Sequence, residues 1–124
     1  YGDHGTTFGG NPLATATALS VIEVIENENL VKEAEKKGKW MIRQIQNNGH
    51  EQYGIREIRG LGMMIGIEFE FETKPLVSRM LEKGVLANAT AENVLRFVPP
   101  LNTTYEELRK VLNVMYESLE EMNK

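Results

Sequence analysis

Apolar positions fall into helical spacing in three long stretches and into strict alternation in one short stretch. From Leu13 to Ile25, nine of thirteen residues are apolar, and they are spread almost all round a helix. Asn11-Pro12 marks its start, because Asn caps free backbone N–H groups and Pro suits the first helical position. A helix apolar on every side seeks burial on most sides. About 100 further residues can hardly supply that cover, so neighbours beyond this chain are expected. A second helix is expected over 30–47, with Leu30, Val31, Ala34, Gly38, Met41, Ile42 and Ile45 on one face and a Lys/Glu-rich back. Ile55–Arg59 reads as a short strand. Met63, Ile65, Ile67, Phe69 and Phe71 alternate with Met64, Gly66, Glu68, Glu70 and Glu72, the period of a half-buried strand. Pro75 opens a short helix with Leu76, Val77, Met80 and Leu81 inward, and Gly84 stops it. Val85–Asn88 and Val94–Val98 read as strands, and Pro99-Pro100 ends the sheet because proline lacks a ladder N–H. Thr104 and Glu107 form a capping box ahead of a last helix striped by Leu108, Val111, Leu112, Met115, Leu119 and Met122. The order predicts an α+β fold: a small, mainly antiparallel sheet with helices on one face, preceded by a long helix.

Composition narrows the function classes. The 124 residues suit one domain, and 41% hydrophobic content supports a packed core. Fourteen basic and eighteen acidic residues give a net charge of −4, which argues against a nucleic-acid binder. No cysteine is present, which removes disulfides and thiolate metal sites, and two histidines are too few for a His-rich zinc site. No apolar run approaches the roughly 18 residues of a membrane span. A cytoplasmic protein is expected. The chain starts at Tyr1 and enters a turn at once, so a piece of a longer protein is expected.

Three segments carry candidate chemistry. Gly5-Thr6-Thr7-Phe8-Gly9-Gly10-Asn11-Pro12 places two hydroxyls beside a glycine-rich turn and a helix N-terminus, a setting for an anion such as phosphate. A plain turn before a capped helix fits the same residues. Arg96, alone in the apolar strand Val94–Val98, either meets a carboxylate with its planar fork or faces water from one side of the strand. In Arg59-Gly60-Leu61-Gly62-Met63-Met64, a bulge between two strands is favoured over a close backbone approach. His4 has no visible partner, and His50 sits in a polar loop. Glu68, Glu70 and Glu72 share one sheet face, and a solvated face is favoured over a metal site. All eight lysines fall in amphipathic helices or their flanks, and none is expected in an apolar context.

These segments, in this order, resemble the C-terminal part of the class III pyridoxal-phosphate aminotransferases. The likeness lies in residues 4–14 (HGTTFGGNPLA), 56–68 (REIRGLGMMIGIE) and 94–101 (VLRFVPPL), and it covers essentially the whole chain. It implies the C-terminal small domain of a fold type I enzyme, with residues 1–28 as phosphate loop and connector helix and residues 29–124 as the small domain. It implies that Thr6 and Thr7 bind the phosphate of pyridoxal 5'-phosphate across a homodimer interface, Thr7 foremost, and that Arg96 binds a substrate carboxylate. The implied substrates are a small amino acid and a 2-oxo acid. In that family the Schiff-base lysine lies upstream of the first motif, so this stretch alone is expected to be inactive, with no catalytic residue of its own. A free-standing binding or oligomerisation module is the non-enzymatic alternative.

Overall fold

The computed structural model describes residues 5–48 and 50–123. The first helix, α1 (Pro12–Asn27), begins where Asn11 Oδ1 accepts the Ala14 N–H at 3.0 Å. It buries none of its residues, and Leu13 and Ile22 are 78% and 52% exposed. Its all-round apolar surface is thus left largely uncovered within this chain. A left-handed Asn29 (φ 52°) turns the chain into α2 (Leu30–Asn47), whose ends match the expected ones. Leu30, Ala34, Gly38, Met41 and Ile45 face inward, whereas Val31 is 71% exposed. One expectation is corrected here. Lys37 is buried, and its Nζ donates to the Leu101 carbonyl at 3.3 Å. The helix pattern hid this because a long alkyl stem follows an apolar face as readily as a solvated one.

A short 3-10 turn (His50–Tyr53) precedes β1 (Ile55–Leu61) and β2 (Met64–Phe69). These two pair antiparallel from Ile55↔Phe69 to Leu61↔Met64, with one irregularity between Ile55 and Glu57. The expected bulge at residues 59–64 is therefore not there. Gly62, at φ 55°, instead makes a two-residue hairpin turn with Met63. The close approach at this segment comes from α2. A Cβ on Gly38 would lie 1.8 Å from the Gly62 carbonyl oxygen, so helix and hairpin turn touch backbone to backbone.

Next comes α3 (Lys74–Glu82), with Leu76 and Met80 buried and Leu81 exposed. Gly84 (φ 80°) ends it, with the Gly84 N–H on the Leu81 carbonyl and the Val85 N–H on the Met80 carbonyl, each at 2.9 Å. That cap displaces the strand expected at Val85–Asn88. Val85 gives its N–H to the helix end, and β3 begins only at Asn88 (Asn88–Thr90). The fourth strand, β4 (Val94–Phe97), lies between β2 and β3, so the sheet order is β1-β2-β4-β3 with every pairing antiparallel. The chain closes with α4 (Tyr105–Met122), opened by both halves of the Thr104/Glu107 capping box. The Thr104 hydrogen bonds hold the Glu107 carboxyl below its ordinary pKa.

Ile65, Ile67, Phe69, Leu95 and Phe97 share one sheet face and form a single core with residues of α2, α3 and α4. Helices thus cover one face, and the other stays open. Among the described residues no helix is long and apolar enough to cross a membrane.

The β3–β4 turn holds two consecutive non-glycine residues at positive φ, Ala91 (48°) and Glu92 (64°). Thr73, fully buried, fastens it by donating its N–H (2.9 Å) and Oγ1–H (3.2 Å) to the Glu92 carbonyl. A left-handed non-glycine residue costs about 1–2 kcal/mol, partly offset by the larger unfolded-state entropy of glycine. Glu92→Gly is therefore expected to stabilise the fold by about 0.5–1 kcal/mol. Urea unfolding measures it, and a lower midpoint with unchanged slope would refute it.

Candidate functional site

The open sheet face carries the site. Strand register places Arg59, Gly66, Arg96 and Asn88 in one row across β1, β2, β4 and β3. Paired residues share a face, so these four lie opposite the buried Ile65/Ile67/Leu95/Phe97 layer. The neighbouring row is Glu57, Glu68, Val94 and Thr90. Together they shape a groove of about 340 Å³ lined by Arg59, Gly60, Met64, Gly66, Val94 and Arg96, among others. Gly66 is its floor between two arginines. A Cβ there would find its nearest neighbour, Val94 Cγ1, at 3.5 Å, so the gap is real space.

The two arginines differ. Arg59 Nη1 donates to Glu57 and to Glu68, each at 2.9 Å. Its pKa is raised, first by the Glu68 hydrogen bond and then by the Glu57 charge. Arg96 has no ion pair among the described residues, and its Nε is buried without a hydrogen-bond partner. A buried guanidinium donor left unmade is costly, and an incoming carboxylate satisfies it bidentately. The Tyr116 hydroxyl is likewise buried without a hydrogen-bond partner, and burial raises its pKa. The nearby Asn48 only tempers that rise. Tyr116 packs against Tyr53 with ring centroids 5.2 Å apart and planes tilted by 46°, and neither residue lines the groove.

The glycine–threonine turn is a separate place, and neither Thr6 nor Thr7 lines the Arg96 groove. Thr6 Oγ1 accepts the Gly9 N–H at 3.1 Å, closing a local turn. Asn11 occupies the Ala14 N–H at the helix end. Thr6 keeps its own O–H to donate, and Thr7 is exposed with no hydrogen-bond partner among the described residues. His4 lies outside the described residues, as does the side chain of His50. Glu68 pairs with Arg59, Glu70 with Arg56 at 4.0 Å, and Glu72 with Lys74 at 3.4 Å.

Sequence reasoning singled out Arg96 but passed over Gly66 and the Arg59–Glu68 pair. Alternation along β2 carried the only signal, since a glycine among wet-face glutamates breaks that face. What it lies between depends on register.

The described residues thus form an α+β layer with one open, arginine-bearing sheet face, led by a turn and an apolar helix. The family profile described as Aminotransferase class-III matches residues 1–119, and the chain belongs to that family. It is 48% identical over 126 residues to the acetylornithine aminotransferase of Methanocaldococcus jannaschii, covering 100% of this chain and 31% of that protein. It is 40% identical to the [LysW]-aminoadipate semialdehyde/glutamate semialdehyde transaminase of Sulfolobus acidocaldarius, covering 95% of this chain and 30% of that protein. The ornithine aminotransferase structure from Toxoplasma gondii superposes with a TM-score of 0.86 at 34% identity, over 99% of this chain and 31% of that one. The chain therefore spans about a third of the length of the proteins it matches.

Proposed function

We propose that this chain is the C-terminal part of a pyridoxal-phosphate aminotransferase that moves an amino group between N-acetylornithine and 2-oxoglutarate, a step of arginine biosynthesis. The carrying observation is Arg96, with its buried, unpartnered Nε above the Gly66 floor. A carboxylate is common to the amino donor and the oxo-acid acceptor, so one guanidinium fork serves both half-reactions. Residues 29–124 form the small domain. Residues 1–28 form the phosphate loop and the connector helix, whose uncovered apolar surface suits packing against the remainder of a longer, cytoplasmic, homodimeric enzyme. The motif spacing favours acetylornithine aminotransferase, and the name of the Methanocaldococcus jannaschii relative agrees. Ornithine and 4-aminobutyrate are the alternative donors, and ornithine stands in the name of the matched Toxoplasma gondii enzyme.

The free Thr7 hydroxyl fits the phosphate of pyridoxal phosphate. Thr6 keeps its own O–H to donate while its oxygen accepts the Gly9 amide. The cofactor, when bound, supplies the electron sink for amino transfer. Within this chain, Arg96 binds and orients the substrate carboxylate, and Thr7 helps hold the phosphate from a partner subunit. The lysine that would join the cofactor lies upstream in this reading, so residues 1–124 alone do not transaminate.

The test is glutamate formation by the full-length, cofactor-loaded protein from 2-oxoglutarate with each donor in turn. N-acetylornithine is expected to be the preferred donor. Absence of turnover with N-acetylornithine, ornithine and 4-aminobutyrate alike refutes the proposed donor assignment. Thr7→Val keeps the shape of the side chain and removes its donor. A hydrogen bond to a charged group carries about 1.5–3 kcal/mol, so cofactor affinity is expected to fall by roughly 10- to 150-fold. Wild-type affinity in an equilibrium titration would reduce Thr7 to a turn residue.

A further inference from the structure

The open sheet face contains one carboxylate that two arginines can reach. Glu68 on β2 opposes Glu57 on one side and Val94 on the other. It is therefore diagonal both to Arg59 and to Arg96, since each of those opposes Gly66. Diagonal neighbours on one sheet face lie about 7–8 Å apart, within reach of long side chains. Glu68 meets Arg59 across one diagonal at 2.9 Å, and across the other Arg96 has no ion pair among the described residues. With its side chain only 28% exposed, Glu68 gains from a charged partner. Glu57 opposes it two strands from Arg96, about 10 Å away across the sheet, too far to take its place. Asn88 and Thr90, the remaining polar side chains of these two rows, carry no charge.

We infer that Arg59 is a positioning residue: it holds Glu68 on the β1 side of the Gly66 gap and so leaves the Arg96 fork free for a ligand carboxylate. This rests on Arg96 being the carboxylate-binding arginine. Arg59 already shares its Nη1 between two glutamates, whereas Arg96 keeps a buried, unpartnered Nε, so the ligand carboxylate is assigned to Arg96 and Arg59 to holding Glu68. Loss of Arg59 releases Glu68 to the second diagonal, where it pairs with Arg96 and competes with substrate. The competition vanishes once the Glu68 charge is removed.

Kinetics on the full-length, cofactor-loaded enzyme test this, together with calorimetric titration of the same protein with glutarate, an unreactive dicarboxylate. Arg59→Gln is expected to raise KM for 2-oxoglutarate and Kd for glutarate by about fivefold, the scale of a partly exposed ion pair, with kcat changed less than twofold. Arg59→Gln combined with Glu68→Gln is expected to bring both constants back to within twofold of wild type. A merely structural role for Arg59 predicts no such rescue, because the double variant loses the ion pair too. Unchanged binding in Arg59→Gln, or a loss that Glu68→Gln leaves in place, overturns the inference. Arg96→Gln separates the two readings: if it leaves glutarate affinity untouched, the assignment of Arg96 itself falls.

Discussion

Gly38→Ala is expected to destabilise the fold by about 2–4 kcal/mol, although alanine is the better helix former by about 1 kcal/mol. The added methyl carbon would sit 1.8 Å from the Gly62 carbonyl oxygen and 2.7 Å from its carbon. Both atoms are backbone, so no rotamer change relieves the clash. Either α2 lifts from the hairpin turn or the turn shifts, and each opens the core around Met41 and Met63. The midpoint of thermal unfolding is expected to drop by on the order of 10 °C. Gly66→Ala is the matched control. Its Cβ meets nothing closer than 3.5 Å, and alanine suits a strand better than glycine by about 0.5–1 kcal/mol. Equal melting losses in the two variants would show that backbone contact is not what Gly38 provides.

Arg96→Ala is expected to lower kcat/KM of the full-length enzyme by roughly 30- to 150-fold while leaving its melting curve within a few degrees of wild type. A charge-assisted, bidentate contact with a carboxylate in a closed site is worth about 2–3 kcal/mol, which sets that range. The side chain lies opposite the core layer and belongs to no ion pair among the described residues, so folding leans on it little. Arg96→Lys keeps the charge but not the fork and is expected to recover only part of the loss. Wild-type kcat/KM for both amino donor and 2-oxoglutarate would exclude Arg96 as the carboxylate partner.

The legible parts of the chain are those decided by neighbours a few residues apart. Asn11-Pro12 set the start of α1, and Thr104 with Glu107 set the start of α4. Alternation from Met63 to Phe69 told which face of β2 is buried. The misread segment, Val85–Asn88, shows the limit. Its residues suit a strand, but the Val85 N–H was already committed to the Met80 carbonyl by the cap that Gly84 makes possible.

By itself, the sequence determined the helix caps at Asn11 and Thr104, the four helices, the alternation of β2 and most of the core stripes of α2 and α4, and it left Arg96 open between a carboxylate and water. All of these follow from local hydrogen bonding and from the 3.6- and 2-residue periods. Tertiary structure alone decided that Gly66 separates Arg59 from Arg96, that Glu68 turns toward Arg59, that Gly38 meets Gly62, and that Lys37 is buried on the Leu101 carbonyl. Each joins residues of different elements, and the side chains involved suit more than one environment. Strand register and helix docking choose among those environments, and both are set by packing of the whole core rather than by any segment of it.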